Sequence, residues 1–185
     1  VITGGSRGLG FAMAKQLVQE GAMVSLLARD PDELDRARNT LLEYPGARIL
    51  TIPCDVTNAE ELEAAIELTN KNFGSIDMLI NNAGEIMVSP FECTTRLDYE
   101  AQLELHLYAP MKAVRLALPH LVNSDMGRIV NICSMGGKVA VPHMLPYDVS
   151  KFALAGFSQG ITAELEAINI PVTTVYPALM RTGSP

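Results

Sequence analysis

Residues 1–21, VITGGSRGLGFAMAKQLVQEG, carry the pattern from which the rest of the chain is read. Val1 and Ile2 run into a glycine-rich turn, after which Phe11, Ala14, Leu17 and Val18 recur at helical spacing until Gly21 offers a stop. Strand, glycine turn and helix follow one another. Gly4, Gly8 and Gly10 sit at the junction, where missing Cβ atoms let backbone approach a pyrophosphate and the helix N-terminus favours its charge. The spacing has no Walker lysine, so the functional reading is a dinucleotide; a plain tight turn is the alternative.

The same alternation continues outward. Ala22–Ala28 is an apolar run, and Asp30 can cap a helix that opens with Pro31, Asp32 and Glu33. Arg48–Cys54 predicts a third strand, and Thr57 with Glu60 has the form of a capping box ahead of Leu62, Ala65, Ile66 and Thr69. Ile76–Ile80, Arg128–Cys133 and Pro171–Tyr176 predict further strands, with long helices over Asp98–Val122 and Tyr147–Ile168. Near-continuous apolar strands alternating with amphipathic helices require a parallel sheet covered on both faces: an α/β, doubly wound, Rossmann-like fold. With no linker or low-complexity tract, residues 1–185 are expected to form a single dinucleotide-binding and catalytic domain. A first strand this short and an end in a loop suggest a fold truncated at both ends.

Composition excludes several roles. Of 185 residues, 14 are Lys or Arg and 21 Asp or Glu, a net charge of -7 with no basic run, which argues against nucleic acid. Lys112 and Arg115 interrupt the longest apolar region, so no membrane span is expected. Cys54, Cys93 and Cys133 are far apart, which argues against a disulfide framework or a metal site and fits a reducing, cytoplasmic setting. Cys133 is expected to be a buried strand residue.

Two features bear on chemistry. Ala28 stands where an acidic residue would bind a ribose 2′-hydroxyl, and Arg29 follows it, with Arg7 in the glycine turn. Two cations near one ribose favour a 2′-phosphate, hence NADP(H) over NAD(H), against the alternative that Arg29 is a solvated loop charge. Tyr147 and Lys151 lie four apart at a helix start and share one face, so an ammonium can favour a phenolate.

TGGSRGLG, NNAG at Asn81–Gly84, Ser134 after the fifth strand and YDVSK at Tyr147–Lys151 together resemble the short-chain dehydrogenase/reductase family over essentially the whole chain. The resemblance implies an oxidoreductase that moves a hydride between a nicotinamide and a carbonyl or secondary alcohol. Tyr147 would be the general acid/base, Lys151 would hold the nicotinamide ribose and lower the Tyr147 pKa, and Ser134 would steady the substrate oxygen. Cofactor contacts would come from Gly4, Ser6, Arg7, Gly8, Leu9 and Gly10 in the turn, and from Arg29, Asp55 and Val56 after the second and third strands. Asn81, Asn82, Ala83 and Gly84 would line the groove, and Thr182 would meet the carboxamide. Asp55 and Thr182 as loop caps, and Asn81 as a strand-end residue, are the plainer alternatives. The two long helices resemble those that pair subunits in the family, which implies a homo-oligomer, and a further pocket-forming segment would follow Pro185.

Two positions depart from the family pattern. His106 stands where an Asn is usual in the long helix; that Asn acts through its main-chain carbonyl, which holds a relay water. Pro110 cannot donate to the His106 carbonyl, so the water site is expected to survive with the imidazole dispensable; an impaired relay is the alternative. Ala178 replaces the usual Gly after Pro177 and is strained if its φ is positive. Residues 135–146 (MGGKVAVPHMLP) are mostly apolar and would border a lipophilic substrate, with His143 there as a contact or a solvated loop residue. The rival to an enzyme is a silent NADP(H)-binding regulatory protein of the same fold, for which His106 and Ala178 speak.

Overall fold

The computed structural model describes residues 1–180. Its elements are β1 (Ile2–Thr3), α1 (Gly8–Gln19), β2 (Val24–Ala28), α2 (Pro31–Leu41), β3 (Ile49–Pro53), α3 (Ala59–Phe73), β4 (Met78–Asn81), α4 (Arg96–Leu103), α5 (Ala109–Val122), β5 (Arg128–Ile132), α6 (Leu145–Glu166) and β6 (Val172–Val175). Short 3₁₀ turns occupy Phe91–Cys93 and Met135–Gly137. The six strands form one sheet in the order β3-β2-β1-β4-β5-β6, parallel throughout. This is the doubly wound Rossmann-like arrangement, whose strand order reverses between β1 and β4.

Alternation along the strands divides the core between two faces. Leu26 and Ile80 pack with Ala14 and Val18 of α1 and Leu34, Ala37 and Leu41 of α2. Their neighbours Leu27 and Leu79 turn the other way, onto Leu62 and Ile66 of α3 and Ala113, Ala117 and Leu121 of α5. Burial on both faces is why these strands show no polar alternation in sequence.

Most strands begin or end a residue or two inside the expected limits, while β4 runs one residue further, to Asn81; the flanking Cys54 and Cys133 amides still donate to the Ala28 and Val175 carbonyls of neighbouring strands. Asp30 caps α2 as expected, accepting from the amides of Asp32 and Glu33. The cap of α3 lies one residue later than expected. Asn58 accepts from the amides of Glu60 and Glu61, while Thr57 donates to Asp55. The expected helix over Asp98–Val122 is also not uniform: α4 and α5 are joined by a π turn at Glu104–Tyr108, where the Ala109 N–H reaches back to the Glu104 carbonyl.

A buried polar chain ties β4, β5 and α6 together. The Asn81 side-chain amide donates to Asn131 Oδ1 at 2.8 Å, and the Asn131 amide donates to Ser158 Oγ at 2.8 Å. Asn131→Ala leaves two interior groups unpaired and is expected to lower unfolding free energy by about 3 kcal/mol, read from urea denaturation.

Candidate active site

The glycine turn is held from below. Gly4 and Gly8 have φ of 63° and 58°, conformations that side chains rarely adopt. A Cβ on Gly10 would run into the Gly4 carbonyl. The Asn82 side chain crosses from β4 and donates to the carbonyls of Thr3 (2.9 Å) and Gly4 (3.0 Å). Thr3 Oγ1 in return accepts from the amides of Asn82 and Ala83. Asn82 and Ala83 therefore build the floor of the turn, and Thr3, which the motif reading passed over, joins them. The Asn81 side chain is buried and bonded to Asn131, which accords with the strand-end alternative.

α1 differs from its neighbours at its start. Asp30, Asn58 and Thr95 cap α2, α3 and α4 through their side chains, whereas Arg7 at the N-cap of α1 makes no such bond. No side-chain cap competes for the amides of this first turn, which suits an anion such as a pyrophosphate. Ser6 donates to Glu33 at 2.9 Å, and Arg7 lies 3.4 Å from the same carboxylate. Arg29 lies 3.7 Å from Glu85, both well exposed. Leu9 packs against the α1–α2 side of the core. Val56 is buried among the residues of α3 and α5. Asp55 closes a small turn with Thr57; burial raises its carboxyl, but the Thr57 bonds and Arg29 outweigh that and hold it below the ordinary value.

The proposed catalytic groups converge beyond β5. Ser134 starts the 3₁₀ turn and accepts from the Gly136 amide at 3.0 Å. Tyr147 and Lys151 occupy successive turns of α6, with the ammonium 5.7 Å from the phenol ring centre. Lys151 Nζ donates to the Ile132 carbonyl at 3.2 Å, and burial pushes its pKa down to about 8. Burial raises the Tyr147 phenol, and the neighbouring Ser134 hydroxyl only partly offsets this. The expected lowering by Lys151 is thus reversed, since desolvation of the phenolate dominates. Cys133 is buried, donates to the Lys151 carbonyl at 3.2 Å, and has its thiol raised by burial, which leaves it no nucleophile. Among the described residues no cluster of His, Cys, Asp and Glu could hold a metal.

His106 is not a spare helix residue. The π turn aims its ring into the interior, 1% exposed and edge-on to Tyr147 at 5.4 Å. Nε2 accepts from the Glu85 amide at 3.3 Å, which leaves the proton on Nδ1, 2.8 Å from Ser150 Oγ. Ser150 donates onward to the Tyr147 carbonyl at 2.6 Å. Through these bonds the ring joins the loop after β4 to α6. Ser150, inside the YDVSK motif, was legible only as spacing. The condition for strain at Ala178 is not met, because only His143 and Asn169 among described non-glycine residues have positive φ. His143 is exposed, and its carbonyl accepts from Ser89 N–H. Thr182 lies outside the described residues.

The model of short chain dehydrogenases matches residues 1–184. This chain belongs to the short-chain dehydrogenase/reductase family. Oxidoreductase BOA17 of Botryotinia fuckeliana is 32% identical over 98% of this chain and 65% of its own length. An uncharacterized oxidoreductase of Staphylococcus aureus is 29% identical over 99% of this chain and 78% of its own. Among solved structures, L-sorbose reductase from Gluconobacter frateurii, complexed with NADPH and L-sorbose, superposes with a TM-score of 0.95 at 31% identity, covering 98% of this chain and 69% of that one. An NADPH-bound short chain oxidoreductase from Pseudomonas aeruginosa, described as containing an atypical catalytic center, gives 0.95 at 30% identity over 98% and 71%. This short-chain dehydrogenase chain thus spans roughly two thirds to three quarters of its relatives' lengths.

Burial pushes the His106 pKa from 6.5 down to about 2. The unfolded chain therefore binds a proton that the folded chain refuses, and stability falls as pH drops from 6.5 toward 2. His106→Asn is expected to be less stable at neutral pH, having lost a ring with two bonds, yet to lose less on acidification. Urea midpoints measured at several pH values check both slopes.

Proposed function

We propose that this protein is an NADP(H)-dependent carbonyl reductase or alcohol dehydrogenase, with residues 1–185 acting as one catalytic domain. The observation that carries this is the convergence of Ser134, Tyr147 and Lys151 at the carboxyl edge of β5, with Tyr147 and Lys151 buried on one face of α6. The bound nicotinamide supplies or accepts the hydride. Tyr147 Oη gives its proton to the oxygen that gains charge during reduction, and takes it back during oxidation. Ser134 Oγ steadies that oxygen. Lys151, buried with its pKa brought down to about 8, holds the ribose side and returns the proton to Tyr147. A phenol raised by burial stays protonated, which suits a general acid.

Arg7 and Arg29 support a 2′-phosphate. Their carboxylate partners form exposed ion pairs, typically worth about 0–1 kcal/mol, which a phosphate dianion readily outcompetes. The NADPH in two structural relatives is consistent with this. Ile86, Val88, Val139 and Val141 are exposed in the two loops tied by the Ser89–His143 bond, and they favour a lipophilic ketone. The cytoplasm and a homo-oligomer formed through the long helices complete the proposal; no described helix is long and apolar enough to cross a membrane.

One observation favours a second reading, a silent NADP(H)-binding regulator: His106 fills the place of the family Asn with a neutral ring whose nitrogens are both engaged. NADPH oxidation measured with a medium-chain aliphatic 2-ketone and with L-sorbose separates the two. Turnover of the former supports the lipophilic reductase; NADPH binding without turnover of any carbonyl compound supports the regulator.

Tyr147→Phe is expected to reduce turnover by at least about 10²-fold, the lower range for a lost general acid, while NADPH affinity stays nearly intact. Fluorescence titration with NADPH beside steady-state rates checks this pair of outcomes. Arg29→Asp is expected to shift preference from NADP(H) toward NAD(H), since a carboxylate repels a 2′-phosphate and accepts from ribose hydroxyls. Unchanged relative affinities would leave Arg29 a surface charge.

A further inference from the structure

Asp148 follows Tyr147 in sequence and takes no part in the proton transfer described above, yet it is 1% exposed. Its Oδ2 accepts from the Val141 amide at 2.7 Å. Its Oδ1 is buried without any hydrogen-bond partner. A buried carboxylate with half its acceptor capacity unused is costly, so its retention here needs a structural reason. The surroundings supply one. A Cβ placed on Gly136 would lie 2.7 Å from Asp148 Oδ1, 3.1 Å from Tyr147 Cε1 and 3.5 Å from Ser134 Oγ. The carboxylate, the phenol and the serine therefore close around one glycine of the Met135–Gly137 turn. Met144, at the N-cap of α6, provides no side-chain cap, and Asp148 is the acidic residue of the first turn.

We propose that Asp148 is a positioning residue: its carboxylate clamps the 135–144 loop to the first turn of α6 and so sets the substrate-facing loop against Tyr147 and Ser134. The specificity of the site then depends on a contact that no substrate touches. This rests on Tyr147 being the proton donor only for its kinetic consequences; the clamp itself is a property of the fold.

Electrostatics adds a second consequence. The groups facing Tyr147 are Ser134 and Cys133 at the end of β5, Lys151 and Asp148 on α6, and His106 on the π turn. The Asp148 charge is one of those that raise the phenol. Asp148 is itself raised by burial, partly offset by the Val141 bond. Reduction needs Tyr147 protonated and fails as pH rises through its pKa, so removing the Asp148 charge moves that alkaline limit downward.

Two variants separate clamp from charge. Asp148→Asn keeps an acceptor for Val141 and loses the charge; Asp148→Ala loses both. Hydrogen exchange of the peptide covering residues 138–144 is expected to stay protected in Asp148→Asn and to accelerate in Asp148→Ala. KM for a medium-chain aliphatic 2-ketone is expected to rise about tenfold in Asp148→Ala, the order for one lost charge-assisted bond, with kcat less affected, and to recover in Asp148→Asn. An ultraviolet titration of tyrosinate, corrected with Tyr147→Phe, is expected to show Tyr147 ionising at lower pH in Asp148→Asn. If Asp148→Ala does not fold, Val141→Pro removes the donor instead, and its KM is expected to rise likewise. Unchanged exchange or unchanged KM in the folded clamp variant overturns the proposal, and an unmoved tyrosinate midpoint removes its electrostatic part. Wild-type protein without turnover would reject the reductase assignment, while exchange and titration would still decide the role of Asp148.

Discussion

A parallel sheet buried on both faces leaves its chemistry one place to go. Helices cover the faces and neighbouring strands consume the ladder, so the carboxyl ends of the strands are the edge where backbone and side chains meet a ligand. Every functional group considered above follows from that constraint. The glycine turn leaves β1, Arg29 leaves β2, Asp55 leaves β3, Asn82 leaves β4 and Ser134 leaves β5. α6 then brings Tyr147 and Lys151 back over the same edge, and the buried Asn81–Asn131–Ser158 chain fixes it to the two strands it must cross.

What was legible in sequence were the features of short range. Strand and helix alternation, the glycine turn, the Asp30 cap and the four-residue spacing of Tyr147 and Lys151 each depend on neighbours within one or two turns of chain. Where sequence misled, a distant partner decided the outcome. Asn81 and Asn82 are adjacent and chemically identical, yet one is buried against Asn131 and the other carries the glycine turn, according to which side of β4 each faces. Thr57 and Asn58 can both cap a helix; Asp55 engages Thr57 and leaves the cap to Asn58. The sign of the Tyr147 shift was beyond sequence altogether, because spacing reveals the nearby ammonium and says nothing of the water excluded from the phenol.

The centre of the molecule is a study in incomplete satisfaction. His106 and Ser150 are fully engaged, and their bonds force one tautomer. Among the described residues Lys151 has one protein acceptor, the Ile132 carbonyl, and Asp148 leaves one oxygen unpaired. A rigid, satisfied scaffold thus encloses groups whose protonation is easily displaced.

The π turn at Glu104–Tyr108 bears on how this helix tolerates a change of length. A helix that reaches back five residues at one point contains one more residue than its path requires. Deleting a residue there would let the ladder close as an ordinary α-helix with α4 and α5 keeping their facing, because the wide turn already absorbs the residue that a regular helix would take up as a rotation of about 100°. Gln102 would keep its buried place on α4, and the change would fall on the turn itself, where His106 now enters the interior. The wide turn thus lets one ring be aimed inward while the packing of the helices on either side of it is left alone.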